Sequence, residues 1–249
     1  MPITTTLLAP TDASPSQLFD ASLVFGRRHF RTLLQVALPA VFVCAVLELV
    51  SQLLRHVPGI PLLGFLAVLM AWGLAEAMAI AACWHIVHGR AATRATCWYS
   101  VSRRVIAIMV GYCLKWLLIL AGLVLLFAPG VYLIALYFAV PTANIAEGYS
   151  LSRAFRRSRG LARPGMKRIA LTLGSLEVIG LGLSFLISAA LGDFSSESPA
   201  PLGVVAAWSL GVVLLPFRAA LMTLLYVDRR VSREAYDLEL GLAHVGGAA

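Results

Sequence analysis

Residues 61–84 read PLLGFLAVLMAWGLAEAMAIAACW, a run in which Glu76 is the one carboxylate and no lysine or arginine occurs. At a helical rise of 1.5 Å per residue, such a run covers the ~30 Å of a bilayer's hydrocarbon core. A helix apolar on every side is a membrane span or the centre of a large protein. Five more runs of the same character choose between these: Leu33–Leu54, Val105–Phe127, Val131–Ala146, Ile169–Leu191 and Gly203–Val227. The fourth run in chain order, 131–146, is short and carries Pro141 and Asn144. It follows Pro129-Gly130 so closely that with the third it forms either a tight hairpin or a broken, re-entrant pair. Composition agrees with lipid as the solvent: 60% hydrophobic and 13% charged residues over 249 positions, with a mean hydropathy of +0.86, exceed what one soluble core hides.

The loops orient the spans, because cytoplasmic loops carry excess Lys and Arg. Arg27, Arg28 and Arg31 precede the first run, and Arg90, Arg94, Arg103 and Arg104 lie between the second and third. Arg153, Arg156, Arg157, Arg159, Arg163, Lys167 and Arg168 lie between the fourth and fifth, and Arg229, Arg230 and Arg233 follow the sixth. The alternate loops hold Arg55, then no charge, then only Asp193 and Glu197. An even number of crossings with both termini in the cytoplasm gives that split. The net charge of +8 is therefore a membrane-surface signal, and no nucleic acid is expected as a partner.

Residues 1–14 lack the basic segment of a cleaved signal, so the first run reads as a retained anchor. Ser14-Pro15-Ser16-Gln17 has the form of a capping box with proline at the first helical position. Phe19, Leu23, Gly26 and Phe30 then share a face, as expected of a helix lying in the interface. Similar segments precede the third and fifth runs, where Leu151, Ala154, Phe155, Leu161 and Ala162 form an apolar stripe beside the arginines. The expected organisation is an N-terminal tail and interfacial helix (1–32), a six-helix membrane domain (33–227) built as three hairpins, and a cytoplasmic helix and tail (228–249).

Two segments carry a family resemblance. Glu147-Gly148 leads into Ala154, Arg157, Ser158 and Leu161, an Ala-x-x-Arg-Ser-x-x-Leu helix. The last run ends in Leu225-Tyr226-Val227-Asp228-Arg229-Arg230 and continues to Arg233-Glu234-Ala235-Tyr236-Asp237-Leu238-Glu239. Across the whole chain this resembles the membrane domain of bacterial glycerophosphodiester phosphodiesterases and the stand-alone YciC-like membrane proteins. In the full-length enzymes the chemistry sits in a soluble barrel, for which these residues have no room. The resemblance implies a multi-pass protein of the bacterial inner membrane without catalysis of its own.

Hydropathy does not explain Glu48, Glu76, Lys115, Glu177 and Arg218, which lie inside apolar runs where an ionised group costs on the order of 3 kcal/mol on insertion scales. Interhelical pairing, Glu76 with Lys115 or Glu177 with Arg218, would compensate them, with Glu48 snorkelling outward. A polar cavity that admits a headgroup or small solute would compensate them too. Cys83, His85, His88 and Cys97 lack the spacing of a metal site, and no phosphate loop, zincin or nucleophile-elbow motif occurs. No metal, cofactor or catalytic residue is expected. At the cytoplasmic end, Glu147, Arg157, Asp228, Arg229, Arg233 and Glu234 are expected to form a latch, in which Asp228 and Glu234 accept arginines of the loop after the fourth run. Arg153, Arg156, Arg157 and Arg159 are expected to contact anionic lipid. The function expected is that of a scaffold or accessory subunit among membrane-protein partners; the alternative is lipid or small-solute handling.

Overall fold

A computed structural model of the chain describes residues 14–54, 56–125, 127–190 and 201–234, and among these there is helix but no strand. The helices are α1 (Pro15–Arg28), α2 (Phe30–Leu53), α3 (Ile60–Val87), α4 (Arg94–Ser102), α5 (Val105–Leu125), α6 (Phe127–Leu136), α7 (Val140–Ala146), α8 (Leu151–Ala162), α9 (Met166–Ala190) and α10 (Pro201–Glu234), with a 3-10 turn at Arg163–Gly165 before α9. Six segments are long and apolar enough to cross a membrane: Phe30–Leu53, Ile60–Val87, Val105–Gly122, Pro129–Ala146, Met166–Ile187 and Trp208–Glu234. The chain is an all-α polytopic membrane protein.

Helix α3 stands at the centre, packed on α2, α5, α7 and α10. Its buried residues run without a gap from Ala75 to Cys83 and include Glu76, Met78 and Ile80, but most are small, with Ala71, Gly73, Ala75, Ala77, Ala79, Ala81 and Ala82 among them. Small residues let helix backbones approach closely where lipid removes the hydrophobic drive to associate. At Gly73 the approach is close, since a Cβ there would come within 2.7 Å of the Tyr112 ring of α5. Large apolar side chains point the other way: Leu49 and Leu53 of α2, Leu62 and Phe65 of α3, and Leu181 and Phe185 of α9 are exposed, forming the face that lipid covers.

The fourth crossing is two helices, α6 and α7, separated at residues 137–139. Pro141 is the cause, because it has no N–H to donate one turn back and its ring crowds that carbonyl. A break inside a membrane leaves backbone groups that only protein can satisfy. Here Ser158 of α8 supplies both halves. Its hydroxyl donates to the Leu136 carbonyl at 2.8 Å and accepts from the Ala139 N–H at 3.1 Å.

Helix α1 begins with the expected capping box: Ser14 Oγ accepts from the Gln17 N–H, and Gln17 Oε1 from the Ser14 N–H. Its buried face is Leu18, Ser22, Phe25 and Gly26, whereas Leu23 is exposed, so the inward face is turned from the expected one through Phe19 and Leu23. The reason is packing against protein. Helix α1 lies along α10, and a Cβ on Gly26 would come within 2.6 Å of the Phe217 ring. The last crossing and the segment after Val227 form one helix that runs unbroken to Glu234; positions 235–249 lie outside the described residues.

Candidate functional site

Trp84 of α3 and Tyr226 of α10 set the depth of the intramembrane charges, with ring centroids 6.2 Å apart. Both helices run toward the basic end of the bundle, and eight residues before each aromatic stand Glu76 and Arg218. Equal offsets on parallel helices place the two ~12 Å deeper at matching height. The Arg218 Nε lies 3.6 Å from Glu76 Oε1, and its Nη2 lies 3.1 Å from Glu177 Oε1 of α9. Lys115 of α5 completes the group, its Nζ 4.7 Å from the Tyr112 ring centroid and 5.6 Å from that of Trp116, which Arg218 also faces at 5.6 Å. Two cations and two carboxylates from four crossings thus share one interior. Glu76 is wholly buried, while the Glu177 side chain keeps 38% exposure.

The expected Glu177–Arg218 pair is present, but the carboxylate of Glu76 also goes to Arg218, and Lys115 makes no ion pair among the described residues. Lys115 faces two aromatic rings, which hold a cation through their negative faces. Glu48 stands apart, with Gln52 one turn on donating to it at 2.9 Å.

At the basic end, Glu147, Arg157, Arg230 and Glu234 close a ring of alternating charge. Arg157 Nη2 lies 2.9 Å from Glu147 Oε1 and 2.6 Å from Glu234 Oε2. Arg230 Nε lies 3.4 Å from Glu147 Oε1 and 3.2 Å from Glu234 Oε2. The Tyr226 hydroxyl donates to Glu147 as well. Burial opposes the charge on Arg157, but its hydrogen bonds to Glu234 and Glu147 outweigh that and push its pKa above the usual arginine value. The phenol of Tyr149 moves up too, through its hydrogen bond to Glu147 and that carboxylate's charge. A second tie joins Arg168 Nη2 to Asp228 Oδ1 at 3.0 Å.

The latch expected from sequence therefore needs two exchanges. Arg229 turns away from the carboxylates and donates to the Leu161 carbonyl at 3.3 Å, near the end of α8, where a cation complements the helix dipole. Its guanidinium rests on Gly165, where a Cβ would come within 2.8 Å of it. Arg233 is exposed and makes no ion pair among the described residues. Arg230 and Tyr226 take the places assigned to these two. On α8, Arg157 belongs to the charge ring and Arg159 stacks over Tyr137 at 5.9 Å, so of the four arginines expected to contact anionic lipid, Arg153 and Arg156 make neither an ion pair nor a ring contact among the described residues. Ser158 entered the sequence reading only through a motif. The signal that could have revealed it was the need of the Pro141 break for a hydroxyl.

The Cys83, His85 and His88 side chains diverge. His85 Nε2 meets the Ser100 hydroxyl at 3.2 Å and His88 Nδ1 the Trp84 carbonyl at 2.8 Å. Among the described residues no three His, Cys, Asp or Glu side chains gather as a metal site would require. Cys97 is buried, and burial raises its thiol pKa, which disfavours the reactive thiolate.

No protein-family model, curated protein or solved structure matches this chain. Its chemistry is read from these side chains alone. One consequence concerns Tyr226, which is fully buried with its hydroxyl on a carboxylate. Tyr226→Phe is expected to lower stability by about 1.5 to 3 kcal/mol, the range for hydrogen bonds to charged groups, measured by thermal unfolding in detergent. A change within about 0.5 kcal/mol, as at an uninvolved surface position, would show that the arginines alone hold Glu147.

Proposed function

We propose that the chain is a non-catalytic scaffold or accessory subunit of the bacterial inner membrane, with both termini in the cytoplasm. The observation that carries this reading is the sharing of Glu76, Lys115, Glu177 and Arg218 among four crossings, with both carboxylates on one guanidinium. Ionisable groups arranged in this way fasten helices together. A transport pathway would instead leave them facing a water-filled space. The charge ring at the basic end works in the same sense, tying the end of α7 to α8 and α10. The resemblance to phosphodiesterase membrane domains points the same way, since in those enzymes this region accompanies a catalytic domain elsewhere. Lipid or small-solute handling, the alternative, draws its support from a cleft at the basic end.

Two measurements test the reading. A reporter fused after Ala249 is expected on the cytoplasmic side and one inserted near Ser195 on the opposite side; matching sides would remove an odd number of crossings between them. Cross-linking in native membranes is expected to trap the chain with a protein partner. A chain that stays monomeric in its membrane while moving a solute across proteoliposomes would replace the scaffold by the transport reading.

A further inference from the structure

Beside the charge ring, α8 and the end of α10 border an open cleft of about 620 Å³, within the size range of ligand pockets. Arg153, Arg156, Arg157 and Gly160 recur at i, i+3, i+4 and i+7, so α8 turns all four toward it; Arg233 and Glu234 close the other side. Arg157 and Glu234 neutralise each other. Arg153, Arg156 and Arg233 make no ion pair among the described residues, so the described lining sets four guanidinium groups against one carboxylate, Glu234, which Arg157 already engages. Gly160 helps to leave that space open, since a Cβ added there would meet nothing within 4 Å.

Guanidinium forks match phosphate oxygens in pairs, and three of them suit a phosphate better than a single carboxylate. The cleft also stands where the chain leaves the bilayer: α7 ends at Ala146 and α8 begins at Leu151. Tyr149, an aromatic of the kind enriched at interfaces, lines its edge. We propose that this cleft binds a phosphate-bearing anion, supplied by the headgroup of an anionic phospholipid in the adjoining leaflet. The site is independent of whether the chain has a protein partner.

The test uses the full chain in neutral detergent, titrated with phosphatidylglycerol, with phosphatidylcholine, and separately with inorganic phosphate. Arg153→Gln with Arg233→Gln is expected to weaken phosphatidylglycerol binding about 30-fold, the effect of two charges near a membrane surface. Arg27→Gln with Arg28→Gln removes the same charge from another exposed position and is expected to change it less than about twofold. Gly160→Phe is expected to weaken binding at least about tenfold by filling the cleft, with thermal stability unchanged or raised because the substitution removes a helix-interior glycine. Equal losses in the two double variants would show diffuse attraction over the face and overturn the site. Wild-type binding in both Gly160→Phe and the Arg153, Arg233 double variant would overturn it as well. If inorganic phosphate binds with the same variant sensitivity while phosphatidylglycerol binds no better than phosphatidylcholine, the anion site stands and the lipid source is overturned.

Discussion

Arg218→Leu is expected to destabilise the membrane domain by about 3 to 5 kcal/mol, the cost of breaking a buried ion pair from one side. Arg218 forms the ion pair with Glu76, whose side chain is 0% exposed and whose carboxylate also has the Tyr112 hydroxyl and the charge of Lys115 beside it. Removing the guanidinium takes away that carboxylate's ion pair and leaves it the Tyr112 hydroxyl and the charge of Lys115, which sits over the Tyr112 and Trp116 rings without pairing with it. The loss should therefore be recovered mainly by Glu76→Gln in the same chain. Glu177→Gln should recover less, because Glu177 is half-buried and can reorient or take up a proton at lower cost. Thermal unfolding of the single and both double variants gives the coupling energies. Greater recovery with Glu177→Gln would make Glu177 the principal partner. A folded Arg218→Leu chain that has lost a bound solute would replace the structural account of this residue by a binding one.

Ser158→Ala is expected to cost about 2 to 4 kcal/mol although it removes a single oxygen. Ser158 is 0% exposed, and its hydroxyl serves the Leu136 carbonyl and the Ala139 N–H at once. Each buried backbone group left unpaired costs about 1 to 3 kcal/mol, and in a bilayer water cannot take the hydroxyl's place easily. The same variant should speed hydrogen exchange at the Ala139 amide, which separates loss of this bond from a general loosening of α8. Unchanged exchange and stability would mean that Pro141 and the packing of α7 hold the break without help. The effect links two distant parts of the sequence: the basic helix is fastened to the fourth crossing by a serine inside its arginine cluster.

That serine shows why parts of the molecule were legible in sequence and others not. Length and hydropathy revealed the crossings because they are properties of one segment against a solvent of known thickness. The Ser14 capping box was legible because a cap involves neighbours three residues apart. The inward face of α1 was not, since Gly26 and the exposed Leu23 are sorted by the position of Phe217, some 190 residues on in the chain. The arginines of α8 looked equivalent in sequence. They divide by what lies opposite each: Glu147 and Glu234 for Arg157, Tyr137 for Arg159, and an open cleft for Arg153 and Arg156.

By itself the sequence determined that the chain lives in lipid, that six segments are apolar and long enough to cross it, and that Glu76, Lys115, Glu177 and Arg218 need compensation there. Those conclusions follow from transfer free energy, which each segment carries wherever its neighbours stand. Only the tertiary structure decided which charges meet. Partner choice depends on helix adjacency, rotation and relative height, and a parallel placement of α3 and α10 with Trp84 beside Tyr226 brings Glu76 to Arg218 rather than to Lys115. The cleft has the same origin, because three arginines become a site only when α10 carries Arg233 to the face of α8 that holds Arg153, Arg156 and Gly160.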